Sequence, residues 1–117
     1  MKITNIEEAV KIFKNFAEIQ GEATLESNYK VGNKYYDKLV AVFEYLKVKD
    51  EIDVILNFVN DKNSNVRLFA ACFLLFKYEK LAISILKDVT KENSIIGHNA
   101  EMTLSEWKKG NLKSYWG

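Results

Sequence analysis

The strongest constraint on the fold is an internal repeat with a period of 30 residues. The apolar pair Ile55-Leu56 returns as Ile85-Leu86, and the polar pair Asn63-Ser64 returns as Asn93-Ser94, without a gap. The other positions matched at this offset are Val59 and Val89, Val66 and Ile96, Ala70 and Ala100, and Leu74 and Leu104. A fixed period of this size, with two helical patterns per unit, is typical of stacked helix pairs. The repeat therefore predicts an all-α architecture.

Composition supports one helical domain with no strong attraction for nucleic acid. The chain has 117 residues, of which 48% are hydrophobic, enough to bury a core of its own. It contains no proline, which favours helices joined by short connections. Lys and Arg total 17 against 16 Asp and Glu. This balance disfavours nucleic-acid binding, because proteins that neutralise phosphates usually carry a basic excess.

Targeting signals and cysteine content indicate the compartment. The N-terminus lacks the apolar stretch of a secretory signal, and no segment approaches the roughly 20 apolar residues that span a bilayer. Cys72 is the only cysteine, and its apolar neighbours predict a reduced residue of the core. We expect a cytoplasmic protein that does not contact the membrane.

Helix start and stop signals in the first half predict two helices and an irregular segment. Thr4-Asn5-Ile6-Glu7 predicts a capping box for a first helix that ends at Gln20-Gly21. Residues 22–32 carry few aliphatic side chains and predict a loop or a short irregular helix. Asn33 predicts the N-cap of a second helix that runs to about Lys49. Its two apolar faces predict a central position.

The repeating part begins at Asp50, where two acidic residues suit a helix start. Asn63 or Ser64 predicts the cap of a buried helix over residues 65–76, which is apolar nearly all round. Asn93-Ser94 predicts the cap of the last helix, and Gly110 predicts its end. The result is about six helices in a single domain, 1–117, with N-terminal helices and a degenerate pair in 1–49 and better-marked pairs in 50–77 and 78–110. The tail Tyr115-Trp116-Gly117 is compatible with packing on the fold or with extending away from it.

The buried repeat helix resembles a HEAT-type repeat. Residues 61–71 read Asp-Lys-Asn-Ser-Asn-Val-Arg-Leu-Phe-Ala-Ala. In HEAT repeats a turn Asp precedes a Val-Arg pair and an Ala-Ala step on the second helix, where small side chains let neighbouring helices approach closely. The resemblance implies a short HEAT-like solenoid of antiparallel helix pairs.

From Asn33 onward the chain also resembles a family of short bacterial HEAT-like proteins of unassigned function. The residues that carry this resemblance are Asn33-Lys34-Tyr35-Tyr36-Asp37, Val66-Arg67, Ala70-Ala71, Ala100-Glu101-Met102-Thr103-Leu104, Glu106-Trp107, Gly110 and Leu112. It implies a compact fold and no established activity. Some relatives look like immunity proteins, which bind and block a toxin, and this implies a toxin as one class of partner.

No group of residues predicts a catalytic centre. His98 is the only histidine and has no second cysteine nearby, whereas zinc sites need three or four ligands at suitable spacing. Glu101 and Glu106 are five residues apart, about 140° around a helix, so they do not form a carboxylate pair. A glycine-rich phosphate loop is absent. We expect no enzymatic activity, no metal and no cofactor.

A second apolar face on the buried helix predicts a binding surface. After the core stripe is assigned, Leu68, Cys72 and Leu75 remain at helical spacing, and the repeat equivalents of the first two are His98 and Met102. Second helices of HEAT units line the concave side of the solenoid. The predicted groove therefore consists of Leu68, Cys72, Leu75, His98 and Met102, with Arg67 and Glu101 at its margin. In the competing interpretation the N-terminal helices fold over this face and bury it.

These features favour a non-enzymatic protein-binding module, of immunity or regulatory type, that docks on a partner and blocks it. A nucleic-acid-binding HEAT-like protein and a purely structural or homo-oligomerising domain stay open as alternatives. The sequence leaves the partner, the face used and the choice between monomer and homodimer undetermined.

Overall fold

The computed structural model describes residues 2–112, and within them the chain forms helices and no strand. Five are α-helices and one is a 3-10 helix. In chain order they are α1 (Ile6–Leu25), α2 (Tyr29–Val48), the 3-10 helix (Ile52–Phe58), α3 (Ser64–Leu74), α4 (Glu79–Val89) and α5 (Ile95–Lys108). The all-α prediction is confirmed. The tail Tyr115-Trp116-Gly117 lies outside the described residues.

Helix α1 begins as a capped helix but runs past its predicted end. Its N-cap is Asn5, whose side chain accepts the Glu8 N–H at 2.8 Å, while the Glu8 carboxylate accepts the Thr4 N–H at 3.1 Å. The capping pair is thus shifted by one residue from Thr4 and Glu7. The predicted stop at Gln20-Gly21 is wrong, because α1 continues to Leu25. Gly21 serves close helix packing instead, since a Cβ there would lie 2.6 Å from the Cβ of Asn65.

The connection between α1 and α2 is shorter than predicted. Residues 26–28 make the turn, with Ser27 in the left-handed region at φ 58°. The side chain of Asn28 accepts the Val31 N–H at 3.3 Å, so Asn28 caps α2, and the predicted cap Asn33 lies inside the helix. The irregular segment predicted for residues 22–32 is therefore mostly helix.

The repeating part follows its predicted boundaries to within two residues, since the helix predicted over residues 65–76 ends at Leu74. The segment after Asp50 forms a 3-10 helix, in which Ile55 and Phe58 are buried. Asn63 caps α3, its side chain accepting the N–H groups of Asn65 and Val66 at 2.9 and 3.0 Å. In the next unit the cap is Ser94 rather than Asn93, so the two caps differ by one position in the 30-residue register. Gly110 follows α5 at φ 78°, the left-handed conformation expected of a helix stop.

One core joins every described helix. The ring of Phe73 on α3 lies 5.1 Å from Phe13 of α1 and 4.9 Å from Phe43 of α2, measured between centroids. Helix α3 packs against α1, the 3-10 helix, α4 and α5, whereas α2 packs mainly along α1. The central helix is therefore α3 and not α2. None of the described helices is both long and apolar enough to cross a bilayer.

Candidate binding pocket

The structure buries some of the predicted surface residues and exposes others. Leu68 and Cys72 of α3 are buried, as is Leu75 directly after it, and α3 meets α2 where the ring of Tyr36 lies 6.1 Å from that of Phe69. The burial of these three side chains agrees with the competing interpretation, although the hydrogen bond of Cys72 with Thr103 shows that α5 also covers part of the face. On α5, His98 and Glu101 are exposed, and 52% of Met102 is accessible.

A concave pocket of about 250 Å³ remains at one end of this face. Its apolar floor comes from Leu68, Phe69 and Cys72 of α3, and Met102 of α5 stands at the exposed side. The other lining residues are Gln20, Tyr36, Asn65, Asn99, Thr103 and Leu112. We call this cavity the α3–α5 pocket. It unites Leu68, Cys72 and Met102 from the predicted set, whereas Leu75, His98, Arg67 and Glu101 do not line it.

Cys72 contributes an inert apolar wall to the pocket. Burial raises the pKa of its thiol to about 12, and a hydrogen bond with Thr103 offsets this only in part. The thiol therefore stays protonated at neutral pH, where a nucleophile would need the thiolate. The expected core role of this cysteine is confirmed by its burial.

Arg67 stabilises the turn before α3 and faces away from the pocket. Its Nη1 donates to the carbonyl oxygens of Asp61 and Lys62 at 2.7 and 3.2 Å. The Asp61 carboxylate instead accepts from Lys14 Nζ at 2.8 Å and from the Asn63 N–H at 2.9 Å. Burial alone would raise the pKa of Asp61, but these two hydrogen bonds outweigh it and hold that pKa below its usual value. The turn is thereby tied to α1.

Asn65 is the residue of the pocket that the sequence analysis missed. It is only 1% exposed, and its Nδ2 donates to the Ala17 carbonyl at 2.7 Å and to Gln20 Oε1 at 2.8 Å. Among the described residues no donor reaches its Oδ1, which is also buried. Buried acceptors are nearly always paired. A polar side chain within an otherwise apolar helix was the available signal in the sequence.

Two other concave surfaces lie outside the predicted set. A notch of about 550 Å³ separates α1 from the first turns of α3 and α5, and Glu18 and Glu22 stand on its α1 side. A groove of about 500 Å³ runs between α4 and α5. Within residues 2–112, no three His, Cys, Asp or Glu side chains lie close enough together to hold a metal ion.

Comparison with known proteins supports the fold and leaves the function open. No protein-family model matches the chain, and a search of curated proteins finds no match. The crystal structure of the protein RPA1889 from Rhodopseudomonas palustris CGA009 is similar, with a TM-score of 0.81 and 22% sequence identity. The match covers 93% of this chain and 96% of that one. A likeness at this identity shows a shared fold alone.

Proposed function

We propose that the protein is a non-enzymatic binding module of the cytoplasm, a short HEAT-like solenoid that docks on a protein partner and blocks it. An immunity or regulatory protein acts in this way. The 30-residue repeat supports the solenoid, since the equivalent residues Val66 and Ile96 are both buried, as are Ala70 and Ala100. Each pair lies on the second helix of its unit.

The size and lining of the α3–α5 pocket carry the proposal. Its volume of about 250 Å³ is below the range of about 300–1,000 Å³ that is usual for small-molecule sites. One apolar side chain of a partner protein suits a cavity of this size, and the flexible thioether of Met102 can adapt to it. Among residues 2–112, no Lys or Arg lines the pocket, which disfavours nucleic acid as the ligand.

The test is an affinity pull-down of the tagged protein from a lysate of its source organism, washed with increasing salt. We expect one protein partner at a stoichiometric ratio that survives high salt, because the contact is apolar. The matched variants are Met102→Glu, which places a charge at the pocket, and His98→Glu, which places it on the same helix outside the pocket. Both residues are exposed, so both variants should fold.

The partner should remain bound to His98→Glu and be lost from Met102→Glu. A partner retained equally by both variants would reject the pocket as the docking site. Recovery of nucleic acid alone, released as salt rises, would replace the proposal with the nucleic-acid alternative.

A further inference from the structure

The groove between α4 and α5 is a second surface, independent of the α3–α5 pocket. Its volume is about 500 Å³, and its apolar floor comes from Ile83, Leu104 and Trp107. Ser105, Lys87 and Lys108 complete the lining. We call it the α4–α5 groove.

The internal repeat shows that one residue of this groove is more accessible than its equivalent. Leu104 is the repeat equivalent of Leu74, and the two residues occupy the same position on α5 and α3. Leu74 is fully buried on a helix that packs against α1, the 3-10 helix, α4 and α5. Leu104 is only half-buried, on a helix that packs against α4, α1 and α3. An apolar position that is closed in the first unit is thus accessible in the second.

Trp107 forms a fixed aromatic wall of this groove. Its ring meets Phe76 edge-on at a centroid distance of 5.1 Å, and its Nε1 donates to Glu79 Oε2 at 2.6 Å. A side chain held in place before binding loses little entropy when a partner arrives, and buried tryptophans are common anchors of interfaces. The same hydrogen bond joins the end of α5 to the beginning of α4, so the two helices run antiparallel.

The charges of the groove select the partner. Because the helices are antiparallel, Lys87 and Lys108 lie at opposite ends. Lys87 is eight residues beyond Glu79, which at 1.5 Å per residue separates the two ammonium-bearing positions by about 12 Å along the groove. No carboxylate of the described residues lines the groove, and the nearby Glu79 accepts the hydrogen bond from Trp107. Both lysines are exposed, and neither takes part in an ion pair within residues 2–112.

We propose that the α4–α5 groove binds an amphipathic helix of a protein partner, with Asp or Glu at positions i and i+7 or i+8. Apolar residues at i+3 and i+4 of that helix would contact Ile83, Leu104 and Trp107. Seven or eight helical residues span about 10–12 Å, which matches the separation of the lysines. The apolar stripe supplies the affinity, and the acidic pair fixes orientation and selects among helices.

Three synthetic helical peptides of about 18 residues test the proposal, a length at which an alanine-rich helix begins to form in water. All carry Leu at i+3 and i+4. The first has Glu at i and i+7, the second has Lys there, and the third has the two Glu moved to the opposite face. Binding is followed by the emission of Trp107 in a Trp116→Phe background, because the chain has two tryptophans. We expect the first peptide to bind at least ~10-fold more tightly than the other two.

Charge reversal provides the decisive comparison. Lys87→Glu combined with Lys108→Glu should invert the ranking, so that the Lys peptide binds best. The control Lys80→Glu changes an exposed lysine of α4 that does not line the groove, and it should leave the ranking unchanged. Met102→Glu should also leave the ranking of the peptides unchanged, because Met102 lines the α3–α5 pocket and not the α4–α5 groove. Failure of one proposal can therefore be distinguished from failure of the other.

Four results would overturn the proposal. Absence of any change in Trp107 emission, or equal binding of the three peptides, would reject an acidic helix as the occupant. A concentration-dependent dimer that Lys87→Glu and Lys108→Glu dissociate would assign the groove to a second copy of the chain. A Trp107 emission shifted by Tyr115→Ala would assign it to the chain's own C-terminal segment.

Discussion

Gly21 and Asn65 make a close polar contact between α1 and α3. The missing side chain of Gly21 leaves room for the Asn65 amide, which donates to Ala17 and Gln20 of α1. The same amide leaves its own Oδ1 without a donor among the described residues, next to the α3–α5 pocket. One polar side chain therefore makes a helix contact and also contributes to the polar lining of the candidate pocket.

Replacing Gly21 by Ala should destabilise the protein, although alanine is the better helix former by about 1 kcal/mol. A Cβ at this position would lie 2.6 Å from the Asn65 Cβ, and overpacking of this kind costs about 1–3 kcal/mol. Gly32→Ala is the matched control, because its Cβ would meet neighbours no closer than 3.8 Å. We expect the control to be neutral or stabilising. Urea unfolding gives both free energies, and equal values for the two variants would contradict the packing argument.

At the scale of elements, helix starts marked by a repeated sequence signal could be predicted. Helix ends that depend on tertiary packing could not. The beginnings of α3 and α5 follow from Asn-Ser pairs that occur twice, 30 residues apart, and α4 follows from its apolar stripe. The end of α1 did not follow, because a glycine that usually stops a helix here permits close packing against Asn65. The 3-10 geometry of Ile52–Phe58 has no signal in the apolar pattern either. Similarly, Leu68 and Cys72 could be grouped by helical spacing and Met102 by the repeat, whereas Gln20 and Tyr36 come from helices outside the repeat.

The turn before α3 is joined to α1 by the ion pair of Asp61 with Lys14, and its contribution should depend on pH. The folded-state pKa of Asp61 lies below its usual value of 3.8. The pair therefore stabilises the fold above about pH 4, and the contribution disappears as pH falls through the lowered pKa. Asp61→Asn should lower the melting temperature at neutral pH and have progressively less effect in acid.

Matched variants on α1 isolate this ion pair. Lys14→Gln removes the same charge interaction from the other side and should reproduce the effect of Asp61→Asn. Lys11→Gln changes an exposed lysine one turn earlier that does not contact Asp61, and should leave the melting temperature unchanged. If Asp61→Asn lowered stability as much at pH 2 as at pH 7, the ion pair would not be the cause.

At the scale of the whole molecule, the aromatic core should prevent the repeat units from unfolding independently of the N-terminal helices. Neighbouring units of a solenoid contact mainly each other, so long arrays can unfold in parts. Here Phe73 of α3 contacts both Phe13 of α1 and Phe43 of α2, and α1 also packs against α5. The N-terminal helices thus share one core with the repeating part. The proposed binding surface on α3 and α5 is therefore continuous with α1 and α2, which contribute Gln20 and Tyr36 to the lining of the pocket.

Phe73→Ala should destabilise the protein by about 3–5 kcal/mol, because it removes a fully buried ring at the meeting point of three helices. Phe76→Ala is the control one turn later, where the ring is 37% exposed and contacts Phe43 and Trp107 at the edge of the core. Its cost should be less than half as large. Circular dichroism reports all helices, and tryptophan emission reports the C-terminal ones through Trp107. In a Trp116→Phe background, where emission comes from Trp107 alone, both probes should show one coincident urea transition, since a shared core couples the elements. Separate transitions would instead mean that the repeat units unfold independently of the N-terminal helices.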